Sequence, residues 1–246
     1  METHFLTYGD GNFTKRKYIL CNEIIQSKYP INHMYAWDRD NISEFYAQHK
    51  HFMDTQPCSG RFIWKPYIIL KLLDKIPYND TLIYCDSGCT VINRGHRKRD
   101  RDLRYSEYFE LLDSVKVPVL PFCPYWDNEA KYFQKEMPDY VAEYMGLNKC
   151  DIVNNPAFEA GFLIMKKTNH VIDIIEEWLK YMIVDDYYLV KDSITSDQGV
   201  LNAIWTKKGL SVILGMDFYG QGPFFAGRYT DNGQKKGWTN ETLITD

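Results

Sequence analysis

The chain has 246 residues, 45% hydrophobic and 25% charged, long enough for one large domain with a full core. Its formal net charge of −4 supplies no general attraction to nucleic acid or to an anionic membrane. No run of roughly 18 apolar residues is present to cross a bilayer, Met1-Glu2-Thr3-His4 does not open a signal peptide, and six scattered cysteines without a CxxC pair read as reduced thiols, so a cytoplasmic chain is expected.

In chain order, residues 4–8 read as a first strand and Gly9-Asp10-Gly11-Asn12 as a turn. Thr14 is placed to cap a helix running to Ser27, with Ile19, Leu20, Ile24 and Ile25 on one face. Strand, glycine-bearing turn and helix form a common approach to a phosphate, but the third glycine of the dinucleotide fingerprint is missing, so no NAD site is expected. Residues 31–37 read as a second strand, Ser43 as the start of a helix reaching Met53, and 56–60 as a loop. Pro66 suits the first turn of a helix whose body, 67–76, is apolar nearly all round and therefore buried. Residues 81–85 form a short apolar run rich in strand formers; Asp86 ends it, and a second apolar run, 89–92, follows.

The stretch 94–104 carries Arg94, Arg97, Lys98, Arg99, Arg101 and Arg104 among Asp100 and Asp102, and reads either as a solvated loop or as a basic lid over phosphates. Residues 105–112 read as a helix, and 115–122 as a strand confined by its prolines to a sheet edge. An aromatic, polar loop over 124–135 and a short helix over 137–145, stopped by Gly146, follow. A strand over 162–165 precedes the clearest helix of the chain, capped by Thr168 or Asn169, with Val171, Ile172, Ile174, Ile175, Trp178, Leu179, Met182 and Ile183 on its apolar stripe. Ser196-Asp197-Gln198 opens a further helix over 200–207, ended by Gly209, and 210–214 is a last strand; no regular structure is assigned to the tail from Gly215. The alternation predicts an α/β fold with a largely parallel central sheet flanked by helices, as one domain over 1–246.

Asp86 is the leading candidate for chemistry. An acidic side chain at the carboxyl end of an inner strand faces the crevice where α/β sheets bind ligands. Ser87 and Gly88 after it leave a ligand room to reach the backbone, and a carboxylate there suits Mn²⁺ or Mg²⁺, which in turn holds a diphosphate. The unit of buried helix, strand and acidic turn sets Lys65 and Asp86 on one rim, with opposite charges suited to a diphosphate and its metal. The plainer alternative is that Asp86 ends a strand and caps a turn.

Three segments stand in a suggestive order: Trp64-Lys65-Pro66-Tyr67 with Leu82-Ile83-Tyr84-Cys85-Asp86-Ser87-Gly88, then Glu159-Ala160-Gly161-Phe162-Leu163-Ile164, then Ser196-Asp197-Gln198-Gly199-Val200-Leu201-Asn202. Together they resemble the GT-A class of glycosyltransferases that use nucleotide-diphospho-sugars. The opening Phe5-Leu6-Thr7-Tyr8-Gly9-Asp10-Gly11 resembles the first nucleotide-binding loop of a bacterial and viral branch of that class. The resemblance covers residues 4–208 and implies a Rossmann-like GT-A fold, with 1–95 mainly nucleotide-binding and 96–246 mainly acceptor-binding. It implies that Thr7, Tyr8 and Gly9 line the nucleobase and ribose pocket, and that Lys65 touches the donor. Asp86 and Gly88, with Ser87 between them, would be the DxD positions, Asp86 being the metal ligand. Ala160 and Gly161 would border the sugar, and Asp197, with Gln198 beside it, would lie near the anomeric carbon or the acceptor. Two departures weaken the expected metal set: the third DxD position is Gly88, and no histidine lies beyond His170.

Glycosyl transfer requires a stabilised leaving diphosphate and an acceptor hydroxyl brought to the sugar's C1. A cation at Asp86, Lys65 and a lid arginine such as Arg97 or Arg99 would supply the positive charge. Inversion at C1 needs a base, with Asp197 the first candidate and Glu159 the second; retention would use the same groups to stabilise an oxocarbenium-like state. The expected donor is a nucleotide-sugar, uridine by family analogy, and the expected acceptor a glycan hydroxyl, with no nucleic acid partner. Two other classes stay open. A nucleotidyltransferase is disfavoured because residues 9–12 carry no basic side chain. A non-catalytic nucleotide- or carbohydrate-binding protein on a transferase scaffold is favoured by the missing second carboxylate.

Overall fold

Strand formers at period two give, in chain order, β1 (Thr3–Tyr8), β2 (His33–Trp37), β3 (Thr81–Cys85), β4 (Thr90–Val91) and β5 (Val119–Cys123). β6 (Glu159–Lys166), β7 (Ile213–Leu214), β8 (Phe224–Phe225), β9 (Tyr229–Thr230) and β10 (Gly233–Gln234) complete them. The helices are α1 (Arg16–Ser27), α2 (Ser43–Thr55), α3 (Trp64–Leu73), α4 (Lys98–Ser114), α5 (Asp139–Met145), α6 (Asn169–Met182) and α7 (Asp197–Lys207). This computed structural model describes residues 1–91, 98–123, 139–148, 151, 158–190, 197–210, 213–214, 222–227 and 229–234.

A six-stranded sheet in the order β2-β1-β3-β6-β5-β7 forms the middle layer. Five strands run parallel to one another, and β6 runs against both its neighbours, β3 and β5. Alternation along the strands divides two apolar layers. Leu6, Tyr8, Leu82 and Tyr84 face one layer, shared with Ile68, Ile69, Leu72, Ile174, Trp178 and Val200 of α3, α6 and α7. Phe5, Ile83 and Cys85 face the other, shared with Leu20 and Ile24 of α1 and Tyr105, Tyr108 and Leu112 of α4. Each fully buried large side chain contributes about 1.5–3 kcal/mol, and burial on both faces explains why 81–85 is continuously apolar.

Several elements differ from the sequence reading. The strand over 119–123 is internal among the described residues, because β7 pairs beyond Pro121, at Phe122 and Cys123, while an irregularity between Pro121 and Phe122 absorbs the proline against β6. The charge run is helical from Lys98, since arginine, lysine and leucine form helices well and Tyr105, Tyr108 and Leu112 give that helix its buried stripe. Arg94 and Arg97, like the loop over 124–135, lie outside the described residues, as does the side chain of Arg99. The strand expected at 162–165 begins at Glu159. Thr14 does not cap α1; its hydroxyl donates to the Gly11 carbonyl at 3.0 Å. Thr168 does cap α6, accepting from the Val171 N–H at 3.3 Å. Within the loop expected over 56–60, Pro57–Arg61 makes one left-handed turn with φ of 54, 51 and 79° at Cys58, Ser59 and Gly60. The tail forms short strands, with β8 antiparallel to β4. Among the described residues no helix is long and apolar enough to cross a membrane.

Candidate active site

The order β2-β1-β3 places the chain's reversal of direction between β1 and β3, and ligands of open α/β sheets bind outside the carboxyl ends of strands at such a point. A cleft of about 390 Å³ opens there. β1 delivers Tyr8 and Asp10 to it, β3 delivers Asp86, Ser87 and Gly88, and the left-handed turn with the start of α3 delivers Ser59, Phe62 and Trp64. One wall is aromatic: Tyr8 stacks on Trp64 with ring centroids 4.1 Å apart, and Phe62 meets Trp64 edge-on at 6.0 Å.

Asp86 is held from behind. Its Oδ1 accepts from the Tyr84 hydroxyl at 2.5 Å and lies 3.2 Å from Lys65 Nζ, while its N–H donates to the Gly161 carbonyl at 2.8 Å. Its Oδ2 makes no hydrogen bond or ion pair with a described residue. Lys65 is buried and reaches a second carboxylate, Asp197 Oδ2, at 2.5 Å. Burial pushes the Lys65 ammonium down, but Asp197 and Asp86 together more than offset this and hold its pKa above the ordinary lysine value. Burial raises the Asp197 pKa, with Lys65 opposing and the Asp86 charge adding to the rise. Burial, then the Asp86 charge, pushes the Tyr84 phenol far above its usual range, so it stays a hydrogen-bond donor.

The tail closes the other side of the cleft. The Tyr229 N–H donates to the Gly88 carbonyl at 2.8 Å, and the Asp231 N–H to the Asn12 carbonyl at 2.7 Å. The Asp231 carboxylate accepts the backbone N–H groups of Lys15 and Arg16 at 2.8–3.1 Å, capping α1 from 216 positions away. A Cβ on Gly88 would lie 3.2 Å from the Tyr229 carbonyl oxygen, so tail backbone already packs where a side chain at this position would stand.

No protein-family profile matches the chain, and no curated protein matches it. Among solved structures it is similar to the galactosyltransferase LgtC in complex with donor and acceptor sugar analogues, with TM-score 0.46, 15% identity, and 87% of this chain and 73% of that chain covered. It is also similar to a glycosyltransferase involved in glycosylation of the major capsid of PBCV-1, with TM-score 0.49, 10% identity and coverage of 89% and 84%. A third is mouse xyloside xylosyltransferase 1 in its apo form, with TM-score 0.47, 9% identity and coverage of 87% and 85%. At these scores the likeness carries no argument about this chain's chemistry.

Of the residues singled out from sequence, Tyr8, Asp86, Ser87 and Gly88 line the cleft. Lys65 and Asp197 form the buried layer beneath Asp86. Ala160 and Gly161 sit in the buried start of β6; the Ala160 carbonyl is 3.4 Å from Lys65 Nζ. Gln198 Oε1 accepts the Ala160 N–H at 3.2 Å, and Asn202, one turn on, brackets Phe158 with both amide groups at 2.9 Å. These contacts lock α7 to the start of β6, and the Trp178 indole, donating to the Asp197 carbonyl at 3.0 Å, ties α6 to α7. Glu159 is buried on β6. Thr7 is buried in β1, and its hydroxyl finds no partner among the described residues. Gly9 lies under the Phe13 carbonyl, where a Cβ would come within 2.3 Å, and is not part of the cleft lining.

The sequence reading passed over Asp10. Its Oδ2 is reached by the Tyr8 hydroxyl and an Arg39 guanidinium N–H, each at 3.1 Å, and by the Ser59 hydroxyl at 3.2 Å. The signal was present: Asp10 follows the end of β1 as Asp86 follows the end of β3.

Proposed function

We propose that this chain is a glycosyltransferase that binds a nucleotide-diphospho-sugar, with uridine as the base, in the β1/β3 cleft and transfers its sugar to a glycan hydroxyl. The observation that carries this reading is Asp86, whose Oδ1 is fixed by Tyr84 and Lys65 while Oδ2 is left to a ligand. A rigid carboxylate beside an aromatic-walled cleft at a sheet switch point suits a cation-bound diphosphate next to a stacked base.

Asp86 would hold Mn²⁺ or Mg²⁺; such an ion, when bound, neutralises charge developing on the leaving diphosphate. The free Oδ2 fits the use of one carboxylate with phosphate oxygens completing the shell, and Gly88 adds none. The Tyr8–Trp64 stack in the cleft wall offers an aromatic surface to the base, and Asp10, held by Arg39, offers acceptor oxygens to ribose hydroxyls or base N–H groups. Lys65 sets the orientation of Asp86 and balances two carboxylates. Asp197, buried and paired with Lys65, acts through that lysine in this state; a role as base requires the pair to part when donor and acceptor bind. Glu159 stays the second candidate for that step.

A non-catalytic donor-binding protein is the second reading, favoured by the Lys65–Asp197 pair and by Gly88. Calorimetric titration with UDP, GDP and their sugars, with and without Mn²⁺, followed by transfer assays over an acceptor panel, separates the two. One uridine nucleotide tightened by Mn²⁺, with sugar transfer, is the expected outcome. Binding without transfer supports the second reading, and absence of any nucleotide binding overturns both.

A further inference from the structure

We propose that Glu2, His4 and His33 form a binding site for a divalent transition-metal ion, Zn²⁺, at the amino end of β1, opposite the cleft. One donor atom from each residue lies within 4.8 Å of the others. Strand geometry assembles them. Glu2 and His4 are two residues apart and so share a face, and His33 is the register partner of His4 on β2. The two imidazoles stack with centroids 4.7 Å apart, and His33 Nε2 lies 2.7 Å from Glu2 Oε2.

Beneath them, the buried His4 has its Nε2 3.1 Å from Asp80 Oδ2, and Asp80 Oδ1 accepts the Glu2 N–H at 2.9 Å. A carboxylate behind a histidine fixes the ring's tautomer and leaves its other nitrogen as a lone-pair donor, as in many zinc sites. That nitrogen, Nδ1, has only a long 3.4 Å contact to the Tyr35 hydroxyl, weak enough for a metal to displace. Tetrahedral zinc with bonds of about 2.0–2.1 Å needs donors roughly 3.3–3.4 Å apart. The Glu2 and His33 side chains, 54% and 46% exposed, are able to make that approach of up to about 1.5 Å, the His33 ring turning out of its stack to aim its lone pair at the ion, with water as fourth ligand. Two imidazoles and a carboxylate suit Zn²⁺ better than Mg²⁺ or Ca²⁺, which favour all-oxygen shells. His4 stands about 13 Å along β1 from Tyr8, so the site is separate from the cleft and does not rest on the transferase reading. A bound ion would clip the edge strand β2 to β1.

The test uses the tag-free, chelator-treated chain carrying Cys58→Ser and Asp86→Ala, which removes an exposed thiol and the cleft carboxylate as competing ligands. Calorimetry with Zn²⁺ is expected to give one equivalent, with Tm rising as free Zn²⁺ rises. Adding His33→Ala or Glu2→Gln, both at exposed side chains, is expected to weaken binding at least ~10-fold, by comparison with the loss seen when even a supporting group is removed. With Co²⁺ as probe, the visible absorption of a tetrahedral site is expected in the parent and absent from His33→Ala. No saturable Zn²⁺ binding in the parent, or equal affinity in both variants, overturns the proposal.

Discussion

At the amino ends of β1 and β3, polar groups answer one another. Asp80 accepts the Glu2 N–H and faces His4, its carbonyl takes the Lys167 N–H, and His33 faces Glu2. At the carboxyl ends of the same two strands, Asp86 has one oxygen fixed and one with no partner among the described residues, Asp10 presents its carboxylate to a cleft, and a left-handed turn forms part of the wall. The topology makes the difference. Both strands are parallel, and from their carboxyl ends the chain leaves β1 for β2 and β3 for the strands beyond it in the sheet order, so a crevice opens between them. At the amino ends, Asp80 and His4 are buried against each other, while Glu2 and His33 pair at the half-exposed rim. A strand pair of this kind separates support from chemistry without any change in its apolar composition.

The comparison is broken most severely at Asp86. Asp86→Ala is expected to lower sugar transfer by about 10²–10³-fold, the scale of losing an electrostatic stabiliser, with little change in Tm, because Lys65 retains Asp197 as partner. Transfer assays beside thermal melts check this, and near-normal turnover in the folded variant would remove Asp86 from the mechanism. Lys65→Met strips the counter-charge from two carboxylates, one fully buried, and is expected to cost about 3–5 kcal/mol in urea unfolding. A loss under ~1 kcal/mol would mean that the ion pair does not form as described. Gly88→Ala pushes a Cβ to 3.2 Å from the Tyr229 carbonyl oxygen and is expected to cost about 1–3 kcal/mol. Limited proteolysis of that variant should cut first in the loosened tail; unchanged stability would mean the tail does not rest on Gly88. The smallest effect is at Asp231. Asp231→Ala removes the remote cap of α1 and is expected to cost about 1 kcal/mol, with Asp231→Asn recovering part of it. Equal stability of all three chains would argue against the cap.

Much of the sheet was legible because local rules applied. The run 81–85, its acidic end and the stripe of α6 follow from strand propensity, burial on both faces and the 3.6-residue period. Pro121 misled because a proline excludes only its own ladder position, and β7 pairs beyond it. The charge run misled because solvated charges are compatible with a helix when every third or fourth residue faces the core.

The sequence by itself determined the principal strands and helices around the central sheet, that the sheet is flanked by helices, and that Asp86, Ser87 and Gly88 end a central strand at the crevice. Tertiary packing alone decided which charges meet. Lys65 is bound to Asp197 as well as Asp86, Gln198 and Asn202 hold the backbone of β6, and the tail that carried no legible structure caps a helix 216 positions earlier. Periodicity and propensity act over a few residues. A buried ion pair or a remote cap instead depends on how distant elements dock, information that no local pattern encodes.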